Sequence, residues 1–305
     1  MDAGSPGQID ATAGNAPNDD DEPVAGGAGG SGGSSTGGRA PGRAGASGAG
    51  SATGEGGAAS ETSSAGKGAS AGRSGAGGSG AGGVAAIPGL VAAYPCESAS
   101  GAVLADVSGH AKNASLANGA GGSAVGFSFG SGMVGKALAL SAGDLAYVSL
   151  PHGIVAKLSE LTIATWVKLK SGAEFQRIFD FGVDSNTFMY LVNSGGSGVV
   201  RFRIASAALN KNQIVEGADA LPVARWVHVA VTVGDTGVSI YLDGLQIAQK
   251  APAALRPSDL GDTDSNFIGR SPFAADPCLD GQIDEFRIYN RVLTPVEVGV
   301  LAKAQ

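Results

Sequence analysis

The chain has 305 residues, 52 of them glycine, with 6% aromatic and 15% charged residues and a formal net charge of −7. That balance leaves nothing basic enough to hold nucleic acid or an anionic membrane surface. No run of 18 or more apolar residues occurs, which excludes a transmembrane helix.

Residues 1–83 contain no aromatic residue, no leucine and no cysteine, and consist chiefly of Gly, Ala and Ser with an early acidic run at Asp19, Asp20, Asp21 and Glu22. Such a segment cannot bury enough apolar surface to offset the entropy of ordering it, so a disordered, flexible tether is expected there. It holds eight acids and four bases, a net −4, which leaves 19 acids and 16 bases, or −3, for the rest. No hydrophobic leader follows Met1 and Asp2, so no signal peptide is visible.

Apolar content begins at Val84, and residues 84–305 are long enough for one large domain with a substantial core. Short alternating runs follow in order: Gly89 to Tyr94, Ala137 to Leu140, Tyr147 to Leu150, Leu161 to Lys168, Arg177 to Phe181, Phe188 to Val192, Val199 to Ile204, Trp226 to Val233, Val238 to Leu242 and Asp280 to Tyr289. Asp243-Gly244 is a type I′ hairpin signal, and Gly234 to Gly237 makes another reversal before the same strand. Thr294-Pro295-Val296-Glu297 combines an N-cap, a first-turn proline and a capping-box glutamate, so a short helix closes the chain. Consecutive strands joined by tight turns pair antiparallel. The expected fold is therefore all-β, a two-sheet antiparallel sandwich with a short C-terminal helix.

Several of these runs, in this order, resemble the LamG-like jelly-roll domains of the concanavalin A-like lectin/glucanase superfamily over residues 87–303. Leu90-Val-Ala-Ala-Tyr94 resembles the opening strand, Asp106-Val-Ser-Gly-His110 a following Asp-x-Ser-Gly-Asn loop, and Gly135 to Leu140 with Tyr147 to Pro151 the next strand pair. Leu161 to Val167, Arg225-Trp-Val-His-Val-Ala-Val-Thr232 and Ile240 to Gly244 match further strands, and Gly281-Gln-Ile-Asp-Glu-Phe-Arg-Ile-Tyr-Asn-Arg-Val-Leu-Thr294 resembles the family's ending. The resemblance implies a jelly roll and points to a binding module rather than an enzyme; it says little about the ligand.

It also implies that the first and last strands pair, which would bring Cys96 and Cys278 together as a disulfide worth roughly 4 to 5 kcal/mol by loop closure; free buried thiols are the alternative. Similar domains often hold a structural calcium ion between the loop at Asp106 and the Ile-Asp-Glu strand. Asp106, His110 through its carbonyl, and Asp284 are the candidate ligands, since calcium takes six to eight oxygens. Against this stands an Asx-turn at Asp106 and an arginine salt bridge at Asp284.

Catalysis has little support. Glycoside hydrolysis needs two carboxylates across the scissile bond, the Glu-x-Asp-x-Glu triplet of laminarinase-like relatives is missing, and the adjacent Asp284 and Glu285 should point to opposite faces. Gly-x-Ser-x-Gly matches around Ser31, Ser35 and Ser70 lie in the tether, where no strand and helix can build a nucleophile elbow. Gly130 to Lys136 approximates a phosphate loop, but Ala137 stands where Ser or Thr is needed, so it reads as a glycine turn. His110, His152 and His228 lack metal-ligand spacing. Trp166 and Trp226 sit in core motifs and read as core rather than as a sugar platform.

The expected function is a non-catalytic recognition module of an exported or surface-anchored bacterial protein, a secreted protein or lipoprotein, that binds a glycan or an extracellular protein as a monomer. The alternative is a structural or adhesive cell-envelope component without a small ligand; a glycoside hydrolase is disfavoured. The candidate ligand loops are Asp184 to Asn186, Asn193 to Gly198, Leu209 to Gly217 and Ser258 to Asn266.

Overall fold

The structure, a computed structural model, describes residues 87–119 and 125–303; the expected tether at 1–83 lies outside them. In the first half the strands are β1 Leu90–Tyr94, β2 Ala99–Ser100, β3 Val103–Leu104, β4 Ala114–Asn118, β5 Phe127–Ser131, β6 Lys136–Leu140, β7 Ala146–Ser149, β8 Leu161–Leu169 and β9 Arg177–Gly182. Then come β10 Phe188–Val192, β11 Arg201–Ser206, β12 Lys211–Glu216, β13 Trp226–Gly234, β14 Gly237–Leu242, β15 Leu245–Lys250, β16 Ser265–Ile268, β17 Gly281–Tyr289 and the helix α1 Pro295–Leu301.

Two antiparallel sheets result. The first runs β15-β14-β13-β8-β17-β6-β5, with β1 also on β17; the second runs β12-β11-β10-β9-β16-β7-β4-β3-β2. Alternation explains how they stack. Leu138, Ile163, Val167, Val229, Val231 and Ile283 of the first sheet share one buried cluster with Val148, Phe179, Phe181, Leu191, Phe202 and Ile204 of the second. Intervening residues face outward. On the first sheet the outer face is partly covered by α1, whose Val298 and Leu301 pack on Ala164, Ala230, Tyr241 and Tyr289.

The local signals hold. Asp243 and Gly244 have φ of 49° and 83°, the two left-handed positions of a type I′ turn. The N-cap Thr294 Oγ1 accepts from Glu297 N at 3.3 Å, while Glu297 Oε2 accepts from Thr294 N at 2.8 Å. Arg291 adds a two-point ion pair to Glu297 and donates to Pro88 O, tying the helix start to the domain's beginning.

Two expectations fail. The first and last strands do pair, with Tyr94 opposite Phe286, yet Cys96 and Cys278 are both free and buried. In that register Cys96 lies level with about residue 284, beside the Asp284 and Glu285 charges. Cys278 is six residues further along an extended chain, about 20 Å away at ~3.3 Å per residue. A disulfide needs Cα atoms within ~7 Å. Strand adjacency was necessary for the bond, but register decided against it.

The second concerns Asp284 and Glu285. Asp284 pairs with Trp166, whereas Arg287 pairs with Ala164, so β17 carries one extra residue; Glu285 has φ of 51°. This bulge lets Ile283 and Phe286 both enter the core, and puts Asp284 and Glu285 together on the outer face. Glu285 there holds Arg287 in an ion pair.

Candidate functional site

The outer face of the second sheet carries an aromatic and ionic group of side chains next to an open cleft. Register aligns Ala205, Phe188 and Gly182 in one row across β11, β10 and β9, and Arg203, Tyr190, Asp180 and Phe267 in the next, continuing into β16. Because β10 reads Phe-Met-Tyr-Leu-Val, its inward residues join the core while Phe188, Tyr190 and Val192 form a separate cluster outside, with Ala205 and Phe273. A Cβ at Gly182 would meet Thr187 O at 2.6 Å and Phe188 Cβ at 2.9 Å, so only glycine fits beside Phe188.

At one end of this face lies an open cleft of about 400 Å³, lined by Asn186, Phe188, Arg203, Asn210, Lys211 and Asn212 with neighbouring small residues. Two turns build it. Asp184 Oδ1 accepts from Asn186 N and Thr187 N, both at 2.8 Å, which fixes the β9–β10 turn. Asn210 has φ of 49° in the β11–β12 turn, and Ala207 N donates to Thr187 Oγ1 at 3.2 Å, joining the turns. Arg203 is held by donating from Nε to Asn212 Oδ1 at 3.1 Å, with its guanidinium 5.4 Å from the Phe188 ring centre. The lining offers amides, a guanidinium and an ammonium, and no carboxylate.

Next to it sits a buried ionic cluster. Arg177 and Asp180, both fully buried, lie 3.0 Å apart, and the guanidinium stacks 3.8 Å above the Tyr190 ring. Arg177 Nη2 comes within 2.8 Å of Asp276 Oδ2, but not in hydrogen-bond alignment, since that nitrogen, Asp180 Oδ1 and Tyr190 Oη have no hydrogen-bond partner. Each such group costs about 1–3 kcal/mol. Burial pushes the Asp180 carboxyl up, and the Arg177 charge opposes it; the result is about 7.

A larger cleft of about 600 Å³ crosses the end of β5, β6, β17 and β8. Ala139, Leu140, Leu169 and Ala224 contribute apolar surface, Phe127 is its one aromatic, and its Lys170 is paired with Asp280 at 3.3 Å. Ser128, Ser141, Lys168 and Gln282 also line it, but its exposed lining is mainly apolar whereas that of the smaller cleft is mainly polar, and a hydroxyl-rich ligand needs convergent donors and acceptors.

The loops expected to carry ligand are partly united here. Asp184 to Asn186 and Leu209 to Gly217 meet at the small cleft, although most of the latter is strand β12 rather than loop. Ser258 to Asn266 contributes a 3-10 turn at Pro257–Leu260, where Ser206 Oγ donates to Asp259 O, and strand β16. Asn193 to Gly198 instead folds towards Glu216, which accepts from Ser197 and Arg201.

The proposed calcium ligands are occupied differently. Asp106 accepts four bonds, from Ala93 N, Ser108 N, Ser108 Oγ and Lys112 N, all within 2.8–2.9 Å. Partial burial pushes its carboxyl up, yet these bonds hold it below the usual range. A carboxylate has about four lone-pair sites, so none remains for a cation. Asp284 Oδ2 accepts from Met133 N and Val134 N in the β5–β6 turn, leaving Oδ1 without a partner, and His110 is exposed. Among the described residues no three His, Cys, Asp or Glu side chains are grouped to hold a metal. Asp106 and Asp284 therefore fit two separate backbone clamps, the first an Asx-turn, better than one shared calcium site.

Trp166 is buried, but on the outer face of the first sheet, edge-on to His228 at 5.3 Å; Trp226 is half-buried in the next row. Burial drives the His228 pKa down to about 4, with Asp243 opposing and Arg287 assisting. As pH falls from 6.5 to 4, the unfolded chain takes up this proton and the folded chain does not, so stability is lost in that window. Asp180 and Asp284, both raised, act oppositely. A comparison with His228→Gln isolates the histidine: the variant should lose about 3 kcal/mol less than the parent between pH 7 and pH 4 in urea unfolding. Equal losses would show that His228 does not govern the acid limb.

Sequence reasoning passed over Arg177, Asp180, Arg203, Phe273 and Asp276. One signal was available: the unbroken apolar run of β10 marks a strand covered on both faces, so charges on its neighbours had to be buried or roofed.

A family model described as the concanavalin A-like lectin/glucanases superfamily matches residues 142–299. No curated protein matches the chain. Among solved structures, domain 4 of AbnA, a GH43 extracellular arabinanase from Geobacillus stearothermophilus in complex with arabinotriose, is similar at 24% identity and a TM-score of 0.58, over 70% of this chain and 98% of that one. The binding domain of Paraclostridial mosquitocidal protein 1 is similar at 18% identity and 0.52, and that of botulinum neurotoxin serotype C1 at 13% and 0.52. Each covers 70% of this chain, which spans about half of theirs, 52% and 51%. At these identities the likeness establishes the fold alone.

Proposed function

Matched by that family model over more than half its length, the chain belongs to the concanavalin A-like lectin/glucanases superfamily, and from that membership we propose a non-catalytic module that binds a glycan on the outer face of its second sheet. The observation that carries this reading is the cleft beside Phe188, where Asn186, Arg203, Asn210 and Asn212 place amide and guanidinium groups around one opening. Amides and guanidinium suit hydroxyl-rich ligands, and a lining without carboxylates supplies no acid or base for hydrolysis. The likeness to an arabinanase domain bound to arabinotriose supports a glycan. An extracellular setting belongs to the same reading; no helix among the described residues is long and apolar enough to cross a membrane.

A second reading, a structural or adhesive component, draws on one fact. Among the described residues every aromatic ring is buried or half-buried, so no open stacking platform faces solvent.

The test is an array of arabino-, xylo-, malto- and cello-oligosaccharides probed with the full chain, followed by calorimetry on the hits. Arg203→Ala should weaken binding about tenfold or more, the worth of one charge-assisted hydrogen bond, and Asn212→Ala several-fold, the worth of a neutral one, while Lys303→Ala, just past α1 on the other sheet, leaves it unchanged. Binding of no sugar, or binding indifferent to both cleft variants, would shift the reading to the structural alternative.

A further inference from the structure

Strand β11 carries two outward-facing arginines in different company. Register sets Glu216 of β12 opposite Arg201, but Ile214 opposite Arg203. Arg201 Nε donates to Glu216 Oε1 at 2.8 Å, so its charge is met across the strand pair. Arg203 Nε donates instead to Asn212 Oδ1 at 3.1 Å. An amide oxygen orients a guanidinium as a carboxylate oxygen would, but it carries no charge and leaves the cation uncompensated.

Among the described residues Arg177, Arg201, Arg225, Arg256, Arg287 and Arg291 each form an ion pair with a carboxylate, whereas Arg203 and Arg270 do not. The Arg270 guanidinium lies over the Tyr147 ring at 4.5 Å; that of Arg203 lines the open cleft, with Nη1 and Nη2 making no hydrogen bond to a described residue. The whole chain has 27 Asp and Glu against 20 Lys and Arg, yet this cleft is lined by Arg203 and Lys211 and by no acid. Neighbouring carboxylates are engaged elsewhere. Asp184 Oδ1 accepts from Asn186 N and Thr187 N inside its own turn, and Glu216 accepts from Ser197 and Arg201. A positive opening in a negative chain concentrates anions at that opening.

The geometry points to an acidic glycan: the cleft between the β9–β10 and β11–β12 turns binds the carboxylate of a uronic acid unit through Nη1 and Nη2 of Arg203, while the Asn186 and Asn210 amides take hydroxyls of the same sugar. This rests on the glycan reading of the cleft and names the ligand class within it. Two parallel N–H groups of a guanidinium match the two oxygens of a planar carboxylate. Asn212 on Nε and the Phe188 ring, 5.4 Å from the guanidinium, hold that fork in place before any ligand arrives. Lys211 adds a second positive charge to the same opening.

The experiment is calorimetry on the full chain at about 50 mM salt with galacturonate and mannuronate trisaccharides, each beside its methyl ester, which keeps every hydroxyl and removes only the charge. At least one acid should bind about tenfold more tightly than its ester, and the ratio should shrink several-fold at about 500 mM salt. Asn212→Asp places a carboxylate beside Arg203 and should erase the difference between acid and ester. Arg203→Lys keeps the charge without the fork and should narrow it; circular dichroism checks that both variants are folded. Acid and ester bound alike, a difference untouched by Asn212→Asp, or hexaglutamate bound as tightly as the acid sugar overturns the carboxylate site, while Arg203-sensitive binding of the esters or of neutral oligosaccharides keeps the glycan reading. Binding of no acid, ester or neutral sugar overturns both.

Discussion

Replacing Arg177 by methionine is expected to lower the free energy of unfolding by about 3–5 kcal/mol, read from urea denaturation at pH 8. Arg177 and Asp180 are fully buried, and the arginine also faces Asp276 and the Tyr190 ring. Methionine fills much of the volume but leaves Asp180 as a buried charge without its cation. The carboxyl has a way out, because burial already holds its pKa near 7 in the intact pair, and loss of the guanidinium raises it further. The folded variant therefore takes up a proton that the unfolded chain, titrating near 4, does not. Its deficit should shrink as pH falls from 8 to 5. The double variant Arg177→Met/Asp180→Leu should recover most of the loss, since an apolar pair of similar size avoids both desolvation penalties. A single variant within 1 kcal/mol of the parent, or a double variant no better than the single, would show that the pair is not an electrostatic unit.

Phe286→Ala is the second large effect, again about 3–5 kcal/mol. Phe286 follows the β17 bulge, is fully buried, and stands opposite Tyr94 in the β1–β17 register. Its ring lies 6.4 Å from Tyr94 in its own sheet and 6.4 Å from Phe179 in the other, edge-on to the latter. Truncation removes the contact between the layers and opens a cavity whose walls, strands on both sides, cannot close without shifting their hydrogen-bonded neighbours. Phe286→Leu refills most of the space and should cost about half as much or less. Equal losses for alanine and leucine would mean that ring stacking, rather than volume, dominates here.

Much of the architecture was readable before any coordinates. Residues 161–169 and 226–234 form strands because their apolar runs serve a sheet covered on both sides, and Asp243-Gly244 and Thr294 to Glu297 act through bonds within a few residues of themselves. Strands β4, β5 and β15 were not legible. Ala114–Asn118, Phe127–Ser131 and Leu245–Lys250 contain few β-branched residues, so partner strands impose their conformation. Of the candidate site, the two turns at Asp184 and Asn210 were visible as polar loops; the face between them was not.

Sequence alone thus determined what depends on near neighbours: period-two burial, turn chemistry, helix capping and, through those patterns, the all-β class. Tertiary structure alone decided register and roofing. The one-residue bulge at Glu285 put two carboxylates on one face, the β1–β17 alignment kept Cys96 and Cys278 apart, and the loop at 270–278 turned an outward-facing Arg177 and Tyr190 into buried groups. Each is a relation between residues distant along the chain, set by which side chains fit together once the sheets stack, and no local pattern encodes that fit.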